Sequence, residues 1–157
     1  MSRRNQITLT DQEIKDYIAN SRTIILVSNG KNGFPHPMPM WFAQDDEGRI
    51  IMSTFRKSQK ILNLKRDPKV TLLIESGDAY EELKSLIIRA EAEIIDDLEE
   101  TVDTMYRVSL ARGDTQSDAE NAMKDGARTG LGTKRVKILF HPKSIVSWDH
   151  NKLGGVY

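Results

Sequence analysis

Hydroxyl and ammonium groups gather in one segment of this chain, Ser53 to Val70, where a β-rich run leads into a short helix. A helix N-terminus carries unpaired backbone N–H groups and a partial positive charge, so cations and hydroxyls placed there suit a phosphate group. A basic, solvated turn would show the same composition. The hydroxyls and cations in question are those of Ser53, Thr54, Arg56, Lys57, Ser58 and Lys60.

The ends of this short helix can be read from the sequence. Ser58 is a suitable N-cap residue, because its hydroxyl can accept a hydrogen bond from the first turn. Asp67-Pro68 ends the helix, since proline cannot continue it, and a new strand begins at Val70. The sequence therefore predicts the order strand, basic turn, helix, strand.

This segment resembles the phosphate-binding turn of the flavin-binding split-barrel family, which includes pyridoxamine 5′-phosphate oxidase and the flavin/deazaflavin oxidoreductases. The matching residues are Ser53-Thr54, Ser58-Gln59-Lys60 and Asn63-Leu64-Lys65-Arg66-Asp67-Pro68. Three further segments are similar to parts of the same family. They are His36-Pro37-Met38-Pro39-Met40-Trp41-Phe42, the alternating run Leu86 to Asp97, and Ser147 to Gly155, which resembles the deazaflavin/flavin oxidoreductase branch.

The resemblance implies a cofactor, FMN or the deazaflavin coenzyme F-420, in a groove between the two subunits of a homodimer. Its phosphate would lie on Ser53, Thr54, Ser58 and Lys60, with Arg56 or Lys57 assisting. The backbone of Met38, Pro39 and Met40 would face the ring. Trp148 and Lys152 could come from the partner chain.

The implied activity is hydride transfer between the bound cofactor and a small organic acceptor, with no side chain obliged to act as acid or base. A cofactor would have to carry the electrons, because the chain has no cysteine, metal motif or evident nucleophile of its own. The alternative on the same fold is a non-enzymatic carrier of flavin, deazaflavin or haem. Neither the choice between FMN and deazaflavin nor the substrate follows from the sequence.

Two departures from the family pattern argue against oxidation of pyridoxamine phosphate itself. The pyridoxamine-phosphate oxidases have arginine at the middle of the Ser-x-Lys triplet, where this chain has Gln59. They also carry an Arg-x-His pair near the C-terminus, which Trp148-Asp149-His150-Asn151 does not reproduce. An amide does not replace the bidentate fork of an arginine.

Composition indicates a compact cytoplasmic domain that spans residues 1–157. The chain has 23 basic and 23 acidic residues, so its charge does not favour nucleic acid or an anionic membrane as partner. Its lack of cysteine excludes disulfides and thiolate metal sites. No apolar run approaches the roughly 20 residues that a membrane-spanning helix needs, and MSRRNQITLT lacks a signal-peptide core.

Periodicity predicts a mainly β protein, an antiparallel split barrel with peripheral helices. Regular alternation of apolar and charged residues predicts that Leu86 to Ile95 is a half-buried strand. Thr10 to Glu13 is a capping box that opens a helix. The other predicted strands are Thr23 to Ser28, His36 to Gln44, Arg49 to Phe55, Val70 to Glu75, Val136 to Phe140 and Ile145 to Trp148, and the other helices are Leu98 to Arg112 and Asp118 to Lys124.

Other chemical motifs carry less weight. The stretch Gly126 to Lys134 has glycines and a basic end, but it precedes a strand, whereas a P-loop opens a helix. The histidines His36, His141 and His150 lie far apart in the sequence and have no acidic partner at metal-ligand spacing. Trp41 and Trp148 are expected in the core by residue type, and the resemblance favours Trp148 as a cofactor contact.

Overall fold

A computed structural model describes residues 3–123 and 130–154 of the protein. The predicted helix end at Lys124, residues 126–129 of the stretch from Gly126 to Lys134, and Gly155 lie outside these residues. The helices are α1 Arg3–Ile7, α2 Asp11–Asn20, α3 Gln59–Arg66, α4 Leu98–Arg112 and α5 Gln116–Ala122. The strands are β1 Thr23–Asn29, β2 Pro35–Trp41, β3 Ala43–Gln44, β4 Ile50–Phe55, β5 Lys69–Ser76, β6 Lys84–Ile95 and β7 Arg135–Asp149.

Within the described residues, all seven strands belong to one antiparallel sheet in the order β2-β1-β5-β6-β7-β4-β3. The two outermost strands, β2 and β3, are consecutive in the chain and are separated only by Phe42. The two edges of the curled sheet are therefore joined by the chain itself at Phe42. This confirms the predicted mainly β split-barrel fold with peripheral helices.

Alternation of buried and more exposed residues along β1, β5 and most of β6 builds the core inside the curled sheet. In β6, Ile88 and Ala90 are buried, whereas Arg89 and Glu91 are exposed. Neighbouring strands supply residues to the same cluster in register, so a one-residue slip would turn every one of them towards solvent. The most deeply buried large side chains include Ile24, Leu26, Met52, Ile61, Leu72, Leu86, Ile138 and Phe140.

Two predicted helix boundaries are confirmed by their caps. The Thr10 hydroxyl accepts from the Glu13 N–H at 3.3 Å, and the Glu13 carboxylate accepts from the Thr10 N–H at 2.6 Å, which completes the capping box. Helix α4 ends at Gly113, whose φ of +106° lies in the left-handed region that favours glycine. Ser58 occupies the N-cap position of α3, but its hydroxyl makes no capping hydrogen bond.

Other boundaries differ from the prediction. The predicted strand His36 to Gln44 is divided at Phe42, where the chain changes its pairing partner from β1 to β4. The two predicted strands at Val136 and Ile145 form one long strand, β7, with a bulge opposite Arg89 and Ala90. Helix α1 was not predicted, since five residues carry too little periodicity to reveal a helix.

Helix α4 packs on the outer face of the sheet. It lies over a small second core of Ala43, Ile51 and Leu139. Ion pairs attach it to the sheet, one between Lys137 of β7 and Glu100 at 2.7 Å and one between Arg107 and Asp46 at 2.8 Å. None of the helices in the described ranges is long and apolar enough to cross a membrane.

Candidate functional site

The site lies where the barrel splits. Extending the β3–β4 register (Ala43 opposite Ile51) would place Trp41 opposite Ser53, but β2 turns away to pair with β1. An open cleft of about 700 Å³ separates the two strand edges. That volume is within the range of small-molecule and cofactor sites. Residues of both edges line it, namely Pro39, Met40 and Trp41 of β2 and Ser53, Thr54 and Phe55 of β4.

Backbone polar groups of β2 point into this cleft. Since Pro39 has no N–H, the hydrogen-bonded pairs with β1 fall at Met38 and Met40, and the groups of the alternate residues point the other way. The carbonyl of Pro39 and the N–H and carbonyl of Trp41 therefore face the opening. Of the predicted backbone contacts at Met38, Pro39 and Met40, the Pro39 carbonyl is the group directed towards the cleft.

The edge of β4 follows the same rule. The N–H of Arg56 donates to the Lys134 carbonyl at 2.9 Å, so the even-numbered residues of β4 bond to β7. The N–H and carbonyl of Ser53 and the N–H of Phe55 are directed towards the cleft. Two facing edges thus offer both donors and acceptors to a flat ligand placed between them.

One end of the cleft holds two cations side by side. Lys60 is only 7% exposed, and its ammonium donates to the Thr54 hydroxyl at 2.9 Å. The guanidinium of Arg135 stacks over the Phe55 ring, with Cζ 4.3 Å from the centroid. Among the described residues, neither cation forms an ion pair with a carboxylate.

Burial and mutual repulsion disfavour the charge on this pair. Burial lowers the pKa of Lys60, and the neighbouring Arg135 guanidinium lowers that pKa further. Burial also lowers the pKa of Arg135. Both shifts have the sign expected of cations taken out of water without a counterion. An anion bound between them would offset the repulsion and favour the charged form of both groups.

Unsatisfied hydrogen-bonding atoms cluster at the same end. Four buried side-chain polar atoms of the described residues have no hydrogen-bond partner, and three of these are Ser53 Oγ, Ser58 Oγ and Arg135 Nε. Buried polar groups are normally paired, so such a group calls for a specific explanation. Two hydroxyls and a guanidinium N–H beside the first turn of α3 fit the oxygens of a phosphate group.

The other side of the cleft is apolar and is built largely by α4. The helix contributes Met105 and Val108 to the lining, which also includes Trp41. Trp41 is 55% exposed rather than buried in the core, and the guanidinium of Arg112 lies over it with Cζ 4.8 Å from the ring centroid. The cleft thus combines a cationic end with an aromatic, apolar wall.

The structure brings together about half of the predicted cofactor-binding residues. Five of them line the cleft: Pro39, Met40, Ser53, Thr54 and Lys60. Ser58 precedes Lys60 by two residues, at the N-cap of α3. Lys60 is buried, which argues against the alternative of a solvated turn for this residue. The residues outside the lining are Met38, Arg56, Lys57, Ser58, Trp148 and Lys152.

Two of these outlying cations have structural partners. Arg56 pairs with Asp96 and donates to the carbonyls of Thr133 and Arg135 at 3.2 and 3.3 Å. Lys152 donates to the Thr8 carbonyl at 2.9 Å and to the Glu13 carboxylate at 2.6 Å. The hydrogen bonds that Glu13 accepts from Lys152 and from the Thr10 N–H lower its pKa to about 2. Lys57 is exposed.

Trp148 lies on the outer face of the sheet. It follows Val146 by two residues in β7, so the two side chains share a face, and Val146 is opposite Ile87 of β6. Ser147, between them, is buried on the other face. Contacts of Trp148 or Lys152 with a cofactor held by a partner chain stay predictions.

Sequence reasoning missed Arg135, Phe55, Arg112 and Trp41 as site residues. Arg135 resembles any other cation until β4 and β7 are paired, when it falls directly opposite Phe55. That register was the one signal that could have identified it. Arg112 could not be assigned to the site, because nothing in the sequence specifies where α4 packs.

Comparisons with known proteins agree with this architecture. The family model described as pyridoxamine 5′-phosphate oxidase matches residues 10–139. A conserved hypothetical protein from Mycobacterium tuberculosis is 34% identical, with a TM-score of 0.85 over 98% of this chain and 93% of that one. The search among curated proteins found no match.

Two further solved structures share the fold at lower identity. An F-420 reductase is 20% identical, with a TM-score of 0.64 over 83% of this chain and 94% of that one. HutZ, the haem storage protein from Vibrio cholerae, is 16% identical, with a TM-score of 0.64 over 87% of this chain and 94% of that one. The matched family model covers most of the chain, from the capping box of α2 to β7, and this chain therefore belongs to the pyridoxamine 5′-phosphate oxidase-like split-barrel family.

Proposed function

We propose that this protein is an oxidoreductase that holds a flavin or deazaflavin in the cleft and transfers a hydride between that cofactor and a small organic acceptor. The observation that carries the proposal is a pair of neighbouring cations, the buried Lys60 and the half-buried Arg135, which have no carboxylate partner among the described residues. Together with Ser53, Thr54 and Ser58, these cations would bind the cofactor's phosphate. Unpaired buried cations cost stability, and an anionic ligand explains their retention.

The rest of the cleft suits a flat, heteroaromatic ring. A flavin or deazaflavin bound there would supply the hydride chemistry. The strand edges at Trp41 and Ser53 offer donors and acceptors in the plane between them, and Met105 and Val108 keep water from one side. The described lining contains neither a carboxylate nor a histidine, so these residues position the reactants rather than transfer protons.

Between the two cofactors, we favour the deazaflavin coenzyme F-420. The segment Ser147 to Gly155 resembles the deazaflavin branch of the family, and an F-420 reductase shares the fold. Both cofactors carry a phosphate that the Lys60 and Arg135 pair could bind. The preference therefore rests on resemblance and not on the geometry of the phosphate end.

A non-enzymatic carrier is the second candidate, since HutZ shows that a haem storage protein shares this fold. Histidine is the usual axial ligand that would hold haem iron at such a site. The lining described above has none, although Met40, Met105 and Met123 are present. A carrier of flavin or deazaflavin is accordingly the stronger form of this alternative.

A homodimer with the cofactor near its interface is part of the proposal. Five apolar residues lie directly opposite one another across the outer face of the sheet, and none of them is fully buried in the single chain. Pro39 at one end of this row also lines the cleft, so a second copy seated on the row would adjoin the cofactor. The outer row consists of Pro39, Ile25, Leu73, Ile87 and Val146.

Removing Lys60 tests the phosphate site. Lys60→Ala should weaken binding of FMN or of coenzyme F-420 by about 1.5–3 kcal/mol, the usual worth of a hydrogen bond to a charged group. Lys65→Ala is the matched control, because Lys65 is exposed at the far end of the same helix. Titration followed by cofactor absorbance measures both. Equal affinity of Lys60→Ala and wild type would place the phosphate elsewhere.

A pair of steady-state assays tests the activity. Reduced coenzyme F-420 with a quinone or enone acceptor should turn over, whereas pyridoxamine 5′-phosphate with oxygen should not. Gln59 is exposed and bonds to Asn63 at 2.9 Å, so it offers no replacement for the arginine of the oxidases. Rapid peroxide formation from the vitamer would contradict the proposal, and inactivity in both assays together with tight cofactor binding would favour the carrier.

A further inference from the structure

Every charged side chain that lines the cleft is cationic within the described residues, and one of them has no role in the phosphate site. Lys60 and Arg135 interact electrostatically with each other. Arg112 lies instead on α4 against Trp41, which belongs to the opposite strand edge. A ligand with a single anionic group would use only the first pair. Arg112 could therefore receive a second anionic group at the α4 side of the cleft.

Arg112 is held in place before any ligand binds. Its Nε donates to the Asp114 carboxylate at 2.9 Å, and its Nη2 contacts the same oxygen. Asp114 is fixed in turn by the Ser109 hydroxyl and by a bond from its own N–H to the Ser109 carbonyl at 3.1 Å. A side chain that is already ordered loses less rotamer entropy on binding.

The guanidinium keeps free donors in this arrangement. Nη1 of Arg112 makes no hydrogen bond to any of the described residues, and the planar group presents its remaining N–H bonds as a fork suited to a carboxylate or sulfonate. Asp114 neutralises part of the charge, so the attraction for an anion is moderate. Removing the Asp114 charge should therefore strengthen that attraction.

The surroundings of Arg112 specify the rest of the ligand. Trp41 is half-exposed, and together with Met105 and Val108 it forms an apolar wall beside the guanidinium. Aromatic faces favour flat, conjugated partners in offset stacking. The arrangement suits a flat ring that carries an anionic substituent at one edge.

We propose that Arg112 is a specificity-determining residue, which selects planar, conjugated hydride acceptors that carry an anionic group. The inference rests on the proposed function for its chemistry, in which the cofactor is oxidised and the acceptor takes up the hydride and a proton from water. It adds the class of acceptor and the residue that selects it.

The test compares two acceptors, 1,4-naphthoquinone and 1,4-naphthoquinone-2-sulfonate, with reduced cofactor as donor. The ratio of their kcat/KM values, sulfonate over neutral, is compared between variants, so their different intrinsic reactivities cancel. Arg112→Gln should lower the ratio about tenfold, the lower end for a charged hydrogen bond, mainly through the KM of the sulfonate. Asp114→Asn should raise the ratio. Lys65→Gln should leave it unchanged.

A second readout does not depend on activity. Equilibrium dialysis of the ligand-free protein with naphthalene-2-sulfonate should show binding that Arg112→Gln weakens about tenfold. Binding of 2-naphthylmethanol, the neutral counterpart, should be the same in both proteins. Equal loss for the two compounds would mean that Arg112 only supports the shape of α4, and it would overturn the inference.

Cofactor affinity separates the two proposals. The Kd of the cofactor should be the same in Arg112→Gln and wild type, whereas Lys60→Ala weakens it. If Arg112→Gln weakens cofactor binding as strongly as Lys60→Ala does, Arg112 belongs to the cofactor site and the inference fails while the proposed function stands. If wild type binds no cofactor, the proposed function fails, and the dialysis result alone decides the role of Arg112.

Discussion

Lys60 shows at the scale of a single residue how a binding site can oppose stability. Its ammonium is buried beside Arg135. Among the described residues, it donates a hydrogen bond to the Thr54 hydroxyl. Removing a charge from water without a counterion is unfavourable, and the lowered pKa of Lys60 records that penalty. The same desolvation strengthens the attraction for a phosphate, because little water competes for the charge.

The lowered pKa of Lys60 predicts a pH dependence. In the ligand-free protein Lys60 loses its proton below its ordinary pKa of 10.5, so FMN affinity should fall as pH rises through that lower pKa. The unfolded chain holds this proton longer, so the stability of the ligand-free protein should rise with pH over the same window. Dissociation constants from pH 7 upward, measured against Lys60→Arg, test this. A steep fall that persists in Lys60→Arg would exclude Lys60 as the titrating group.

At the scale of secondary structure, α3 matters because it carries Lys60 to the split in the barrel. The helix is attached through Asn63, which is fully buried and donates to the Ser28 hydroxyl of β1 at 3.0 Å. The side-chain amide oxygen of Asn63 accepts a hydrogen bond from the Gln59 side chain at 2.9 Å. This explains why an asparagine occupies a helix face that is otherwise apolar, between Ile61 and Leu64.

Replacing Asn63 should therefore loosen the whole element. Asn63→Ala leaves the Ser28 hydroxyl buried and unpaired, which should cost about 1–3 kcal/mol of the free energy of unfolding. Cofactor affinity should fall as well, since the first turn of α3 positions Lys60. Urea denaturation and cofactor titration measure the two effects, with Lys65→Ala as the control on the exposed face. Unchanged stability would show that the Ser28 contact contributes little.

At the scale of the whole molecule, the outer row places an apolar strip on a surface that the single chain leaves partly open. Ile87 lies within the row, opposite Leu73 on one side and Val146 on the other. A C2 dimer would cover this strip with its own copy, the commonest way in which soluble chains assemble. The cleft adjoins the strip at Pro39.

A charge at an inner position of the row should separate the subunits. Ile87→Lys should shift the species from about twice 17.8 kDa to 17.8 kDa, because burying two like charges at a two-fold axis is unfavourable. Thr71→Lys, on the same face but outside the row, is the control. Light scattering over micromolar concentrations measures the mass. A wild-type protein that is monomeric throughout this range would contradict the dimer.

Local chemistry by itself determined much of this protein. The capping box at Thr10, the alternation in β6 and the proline after Asp67 each act within a few residues, so the elements they specify were predictable. The hydroxyls and cations from Ser53 to Lys60 likewise lie in one segment, and they identified the cationic end of the cleft. The resemblance to the split-barrel family was recognised from the order of such segments along the chain.

Only the tertiary structure decided which distant residues complete the site. Antiparallel pairing of β4 with β7 brings Arg135 to Ser53 across 82 residues. The change of pairing partner at Phe42 opens the cleft between the edges of β2 and β4. Helix α4 adds Arg112 through packing on the outer face. These contacts depend on strand register and on surface packing, which act between segments far apart in the chain and leave no local pattern in the residues that make them.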